Sequence, residues 1–194
     1  FTAFTDSAEP EEVQAVLRDY QQAMGAIVTE HEGTLDRFAG DGILIFFNDP
    51  LPIAEPGKRA ATMALKMQAG FVPLRERWLK VGYELALGIG IAQGFATLGA
   101  FGFEGRLDYS AIGSVVNLAS RLSDEALGGQ IIIDVTAQAL ARFVVLEIEG
   151  CDAVFSDNYF DLPAGETVTI TTPTPAGWDR NSVVTARSLY NSFA

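Results

Sequence analysis

Residues 108 to 122 read Asp108-Tyr109-Ser110-Ala111-Ile112-Gly113-Ser114-Val115-Val116-Asn117-Leu118-Ala119-Ser120-Arg121-Leu122. Ser114 is placed to cap a helix running to Glu125, and Asn117 and Arg121, four positions apart, then share one helical face. An amide beside a guanidinium can hold a ribose and a phosphate together, the guanidinium acting as a fork on phosphate oxygens. Two scattered polar groups on a helix surface account equally well for that spacing. A second segment is Arg37-Phe38-Ala39-Gly40-Asp41-Gly42, where a carboxylate stands between two glycines at the tip of a hairpin. Asp41 is either raised there as a ligand for a hard cation such as Mg²⁺ or is part of an ordinary Asp-Gly turn.

The flanking sequence sets these segments in a pattern of elements. Val13, Val16, Leu17, Tyr20, Met24, Ile27 and Val28 recur at helical spacing from Glu11 to Glu32, with Pro10 suited to the first turn and Gly33 to the close. Thr34 to Ala39 and Ile43 to Phe47 read as the two strands of the hairpin, and Asn48 to Gly57, with three prolines, as a loop. Lys58 to Trp78 is a helix that Pro73 should kink or divide. Leu85 to Ile91 reads as a strand on which Gly88 and Gly90 admit a close approach of backbone or ligand. Phe95 to Leu98 is a short strand, Gly99 to Leu107 a glycine-bearing loop, Ile131 to Ile133 a strand, and Thr136 to Arg142 a last short helix. This order, αββαββαβα, predicts an α+β sandwich around a mostly antiparallel sheet, since regular βα alternation is absent. From Phe143 the helical period vanishes; Phe143 to Ile148 and Thr167 to Ile170 look like strands separated by proline and glycine turns. A boundary is expected near residue 142, giving units 1–142 and 143–194.

Composition excludes several function classes. The chain carries 13 Lys+Arg against 25 Asp+Glu, net −12, with no basic cluster to neutralise phosphates, so a nucleic-acid partner is not expected. A free nucleotide would be repelled too, unless metal ions supplied positive charge. With 48% hydrophobic residues the chain can bury a core, and no run of about 18 apolar residues spans a membrane. The first residues lack a signal peptide's basic start and cleavage site, and a cytoplasmic setting is expected, with any segment upstream of Phe1 left open. Cys151 is the sole cysteine, which leaves no disulfide framework; His31 is the sole histidine and reads as a solvated helix-terminal residue.

Taken together, the segments resemble the class III adenylate/guanylate cyclase catalytic domain from Phe1 to about Ala141. Phe1-Thr2-Ala3-Phe4-Thr5 is similar to the end of its first metal motif, Asp-x-x-Gly-Phe-Thr. His31 to Gly42 resembles its His-Gly-Gly-Thr…Gly-Asp segment, Gly88 to Gly94 its core strand, and Asp108 to Leu122 its Asp-Tyr-x-x-x-Gly…Val-Asn-x-Ala-x-Arg-Leu signature. The resemblance implies a ferredoxin-like cyclase sandwich and the conversion of ATP or GTP to a cyclic nucleotide and pyrophosphate. It implies two Mg²⁺ or Mn²⁺ ions, Asp41 as a metal ligand, Asn117 on the ribose, Arg121 on the phosphates, and a homodimer sharing each site between copies. Two-metal phosphoryl transfer activates the attacking hydroxyl and carries the developing charge.

Three departures qualify it. The family's other metal aspartate, and the strand bearing it, would lie before Phe1, so the sheet is expected to lack its N-terminal strand and turnover by this chain to be weak. The base-reading positions are similar to Arg37 and Ser110; Arg37, donor-only, suits adenine N1 and favours ATP over GTP, while Ser110 donates or accepts and decides nothing. Arg37 also reads as a surface strand residue pairing with Asp36 or Glu32. Lastly, Phe143 to Ala194 resembles the C-terminal β-sandwich segment of family 2 beta-mannosidases, in Val154 to Glu166 and Arg187 to Phe193. Lacking the rest of such a sandwich, the tail is expected to be loosely attached, with Phe155, Tyr159, Phe160 and Trp178 in need of cover. A degenerate homologue that binds nucleotide or dimerises without turnover is the alternative.

Overall fold

The computed structural model describes residues 1–175 and 182–189. A one-turn helix α1 (Thr2–Thr5) precedes α2 (Pro10–Glu30). Pro10 sits in the first turn of α2, and the Glu9 backbone N–H donates to Glu12 Oε2 at 3.0 Å, which satisfies a donor the helix start leaves open. Its end differs from expectation. Glu32, at φ 58°, makes the left-handed turn, and the Gly33 N–H reaches the Val28 carbonyl at 3.0 Å. Gly33 serves another purpose, because a Cβ there would lie 3.0 Å from Ile45 Cγ2. His31 is buried, not solvated: it is 7% exposed, its Nδ1 2.9 Å from the Ile27 carbonyl.

The hairpin β1 (Thr34–Ala39) and β2 (Gly42–Phe46) leads to α3 (Pro56–Leu79), which runs through Pro73 as one helix. Burial on both sides of the proline explains this, since Met67, Phe71, Leu74 and Trp78 all enter the core against α2. The next strand, β3, is confined to Ile89–Ile91; the Leu87 carbonyl is taken instead by Gln68 Nε2 and the Gly129 N–H, each at 2.9 Å. Residues expected as a glycine loop form most of a second hairpin, β4 (Thr97–Phe103) and β5 (Arg106–Ile112), turning at Gly105 with φ 94°. Alternating apolar and small residues pair across it, so the glycines lie within strands and not in a loop.

α4 (Ser114–Glu125) follows, then β6 (Gln130–Thr136) and β7 (Ala141–Ile148). The helix expected over 136–142 is absent. Ala137 is instead held in the core by Val144 and Leu162, and its carbonyl accepts the Gly165 N–H at 2.8 Å. β8 (Phe160–Leu162), β9 (Thr167–Pro173) and β10 (Val184–Arg187) complete the described chain.

The strands form an α+β, mostly antiparallel arrangement: β1–β2, β4–β5, β8–β7–β10, and β3–β6–β9, in which only β3–β6 is parallel. The expectation of a loosely attached tail is corrected. β9 pairs with β6 along its whole length, Gln130 opposite Pro173 through Thr136 opposite Thr167. Ile148 and Val184, from β7 and β10, share a core with Ala61, Ala64 and Leu65 of α3 and Ile131 of β6. Phe155 and Phe160 are covered by these cores, Tyr159 stays exposed, and Trp178 lies outside the described residues. The principal core joins α1, α2 and α3 to Ile43, Ile45 and Phe47 on one side and Leu87 and Ile89 on the other.

Candidate functional site

Two hairpins and one helix carry the candidate residues. β1 is interrupted by a bulge: Leu35 faces Ile45 and Arg37 faces Leu44, leaving Asp36 as the extra residue. A bulge turns two consecutive side chains toward one side, and here it delivers both Asp36 and Arg37 to the end of β5. Asp36 is the better buried, its side chain 2% exposed against 53% for Arg37. Asp36 Oδ2 accepts from Ser110 Oγ at 2.8 Å and from the Ala111 N–H at 2.9 Å, while Oδ1 accepts from Arg37 Nη1 at 3.1 Å. The same Nη1 donates to Ser110 Oγ at 3.1 Å. The structure therefore brings together Arg37 and Ser110, residues 73 positions apart in sequence.

Asp36 was legible only as one possible partner of Arg37, because its inward aim depends on the bulge. Sequence reasoning also missed Asp49, which accepts a hydrogen bond from Tyr109 Oη and ties the proline-rich loop to β5. Its carboxylate raises the Tyr109 phenol, mainly through that bond.

Asp41 lies exposed in the β1–β2 turn, where Gly40 adopts φ 62°. The nearby Tyr20 phenol is pushed up to about 12, first by burial and then by the Asp41 charge. Among the described residues no group of three His, Cys, Asp or Glu side chains is placed to hold a metal ion. A single exposed carboxylate does not fit an ion that demands near-octahedral oxygen ligation.

Asn117 and Arg121 lie exposed on α4. Their helix is fixed by contact with β3 at glycine: a Cβ on Gly90 would fall 2.3 Å from the Ser123 nitrogen and 2.4 Å from the Ala119 carbonyl oxygen. That bears out the close backbone approach expected at this strand. Within one copy α4 packs on β3 and β6, whereas the β1–β2 hairpin packs on β5 and α2. The structure thus unites the Arg37 and Ser110 pair, and among the described residues no hydrogen bond or ion pair joins Asp41 to Asn117 or Arg121.

Comparison with known proteins matches this arrangement. The chain is 32% identical to Adenylate cyclase 1 of Rhizobium meliloti (strain 1021) over 123 residues, 63% of this chain and 18% of that one. It is 32% identical to the Adenylate cyclase of Anabaena cylindrica over 127 residues, 63% of this chain and 24% of that one. The chain thus spans about a fifth of the length of these curated relatives. The solved guanylyl cyclase Cya2 superposes with TM-score 0.71 at 29% identity, covering 93% of this chain and 88% of that one. The adenylyl cyclase CyaB from P. aeruginosa superposes with TM-score 0.68 at 28% identity, covering 93% and 90%. The Ig_mannosidase family model, an Ig-fold domain, matches residues 115–192. In sequence and fold the chain resembles the class III adenylyl and guanylyl cyclase catalytic domains, and from α4 onward its sequence is also similar to the Ig_mannosidase model.

Proposed function

We propose that this chain is the nucleotide-handling part of a cyclase that takes ATP in preference to GTP, in a site shared between two copies. The observation that carries this reading is the Arg37 and Ser110 pair, set 3.1 Å apart by a bulge and backed by a buried carboxylate. Arg37 presents unspent guanidinium donors at a half-exposed position, suited to a purine ring nitrogen. On α4, Arg121 forks onto phosphate oxygens and Asn117 holds the ribose, so that the 3′-hydroxyl faces the α-phosphorus and pyrophosphate leaves. Asp41 and the α4 pair sit on elements that pack on different neighbours within one copy, and a homodimer supplies the meeting of the two.

Asp41 is the residue here that would touch a Mg²⁺ or Mn²⁺ ion, which when bound would supply positive charge to the triphosphate. The described residues offer no fuller ligand set, so turnover by residues 1–194 is weak. That same observation favours a second reading, a module that binds nucleotide or dimerises without turnover.

Binding of ATP and formation of cyclic nucleotide, measured with Mg²⁺ and with Mn²⁺, test both. Under the first reading Arg121→Ala lowers kcat far more than affinity. A chain that binds ATP but forms no cyclic product with either metal leaves only the second. Absence of any ATP binding refutes both.

A further inference from the structure

Ser110 has one proton to give, and its neighbours decide where it goes. Ionised Asp36 can only accept and Arg37 can only donate. The Ser110 hydroxyl therefore donates to Asp36 Oδ2, 2.8 Å away, and one of its lone pairs takes the Arg37 Nη1 proton at 3.1 Å. What remains is the second lone pair of Ser110, which is 7% exposed, beside the Nη2 and Nε donors of half-exposed Arg37, which no hydrogen bond among the described residues uses. Asp36 is itself fixed by the bulge and by the Ala111 N–H, so it cannot turn to release that proton.

We infer that Asp36, through the Ser110 hydroxyl, is a positioning residue that sets the purine preference of the site, making it select a 6-aminopurine. The inference rests on the nucleotide-binding reading given under Proposed function. With the ring turned so that N1 meets Arg37, adenine offers an acceptor to the guanidinium and its 6-amino group to the Ser110 lone pair. Guanine in the same place sets N1–H against a donor-only guanidinium and O6 against a lone pair. Both contacts are then between like groups, and a polar group of the site left unmatched is what discriminates against an analogue.

Asp36→Ala, which removes the acceptor of the Ser110 proton, tests this role with Asp36→Asn beside it. An asparagine with its oxygen in the Oδ2 position still accepts from Ser110 and Ala111, so the two hairpins stay joined. Its amide then faces the Arg37 donors and releases the guanidinium. Affinities for 3′-deoxy-ATP and 3′-deoxy-GTP, which cannot cyclise, are measured on the full chain with Mg²⁺, together with Ser110→Ala and Ser110→Thr. The wild type is expected to prefer the adenine analogue by about tenfold or more, the worth of one hydrogen bond to a charged group. Asp36→Asn, whose oxygen still takes the Ser110 proton, keeps the preference, as does Ser110→Thr, which keeps the hydroxyl. Ser110→Ala, and Asp36→Ala, which frees the Ser110 proton to turn, bring the two affinities close to parity. If Asp36→Ala does not fold, the Ser110 pair carries the same comparison. A preference that survives both Asp36→Ala and Ser110→Ala overturns the inference alone. A wild type that binds neither analogue overturns the reading beneath it.

Discussion

Replacing Gly90 by alanine should loosen the contact on which α4 depends. The added methyl would meet three backbone atoms, the Ser123 nitrogen at 2.3 Å, the Ala119 oxygen at 2.4 Å and the Leu122 carbonyl carbon at 2.7 Å. Ordinary contact begins at 3.4 Å, so the tightest of these is short by 3.4 − 2.3 = 1.1 Å. Backbone atoms have no rotamer to escape into, and α4 must therefore shift by roughly that distance. Overpacking of this kind costs about 1–3 kcal/mol. The stiffer unfolded chain returns roughly 0.4–1 kcal/mol. A net loss of about 1.3 kcal/mol lowers Tm by about 3–5 °C for a chain of this size. Gly25→Ala is the control, because its Cβ meets nothing within 4 Å in the middle of α2, and it should gain about 0.5–1 kcal/mol. Urea and thermal unfolding of the two variants beside the wild type measure the difference. The shift also carries Asn117 and Arg121 with it, and a displacement near 1 Å at reacting groups costs up to about 10²-fold in rate. Should Gly90→Ala prove as stable as Gly25→Ala, the close packing of β3 on α4 is wrong.

Three more perturbations probe the rest of the chain. The Tyr20 phenol is raised from 10.0 to about 12, so between those pH values the unfolded chain has lost a proton that the folded chain keeps. Stability should fall across that window, and Tyr20→Phe should flatten the fall; an unchanged slope in urea midpoints against pH would count against a buried Tyr20. Thr185 Oγ1 is buried without a partner, so Thr185→Val should stabilise by about 1 kcal/mol, and a destabilised variant would mean that the hydroxyl is satisfied. Amide exchange along Thr167–Pro173 should be as slow as along Gln130–Thr136 and governed by global unfolding; fast exchange confined to the former would contradict their ladder.

How much was legible follows the range of the forces involved. α2, the first hairpin and α4 were readable because their apolar spacing is local, although α4 is preceded by Gly113 at the cap position with no side-chain cap, and not capped by Ser114 as expected. Gly88 and Gly90 pointed to a close approach, since only a missing side chain explains glycine on the inner face of a strand. The β4–β5 hairpin was hidden by glycines that ordinarily signal loops, and the stretch after Thr136 by helical spacing too short to outweigh the packing of Ala137 on Leu162. At the site, Arg37 and Ser110 could be named from motif alone. Asp36 could not be ranked above them, because its burial comes from a one-residue slip in pairing that no local propensity encodes.

The meeting of β6 with β9 has a wider consequence. Sequence similarity to the curated cyclases covers 63% of the chain, yet the superposition on Cya2 covers 93%. A rung of N–H and C=O groups recognises spacing and direction and is indifferent to ancestry. An alternating run such as Val168, Ile170 and Thr172 can seat its inner residues against any apolar floor that offers an open edge. For a sheet of this kind, likeness of outline can therefore run further along a chain than likeness of residues.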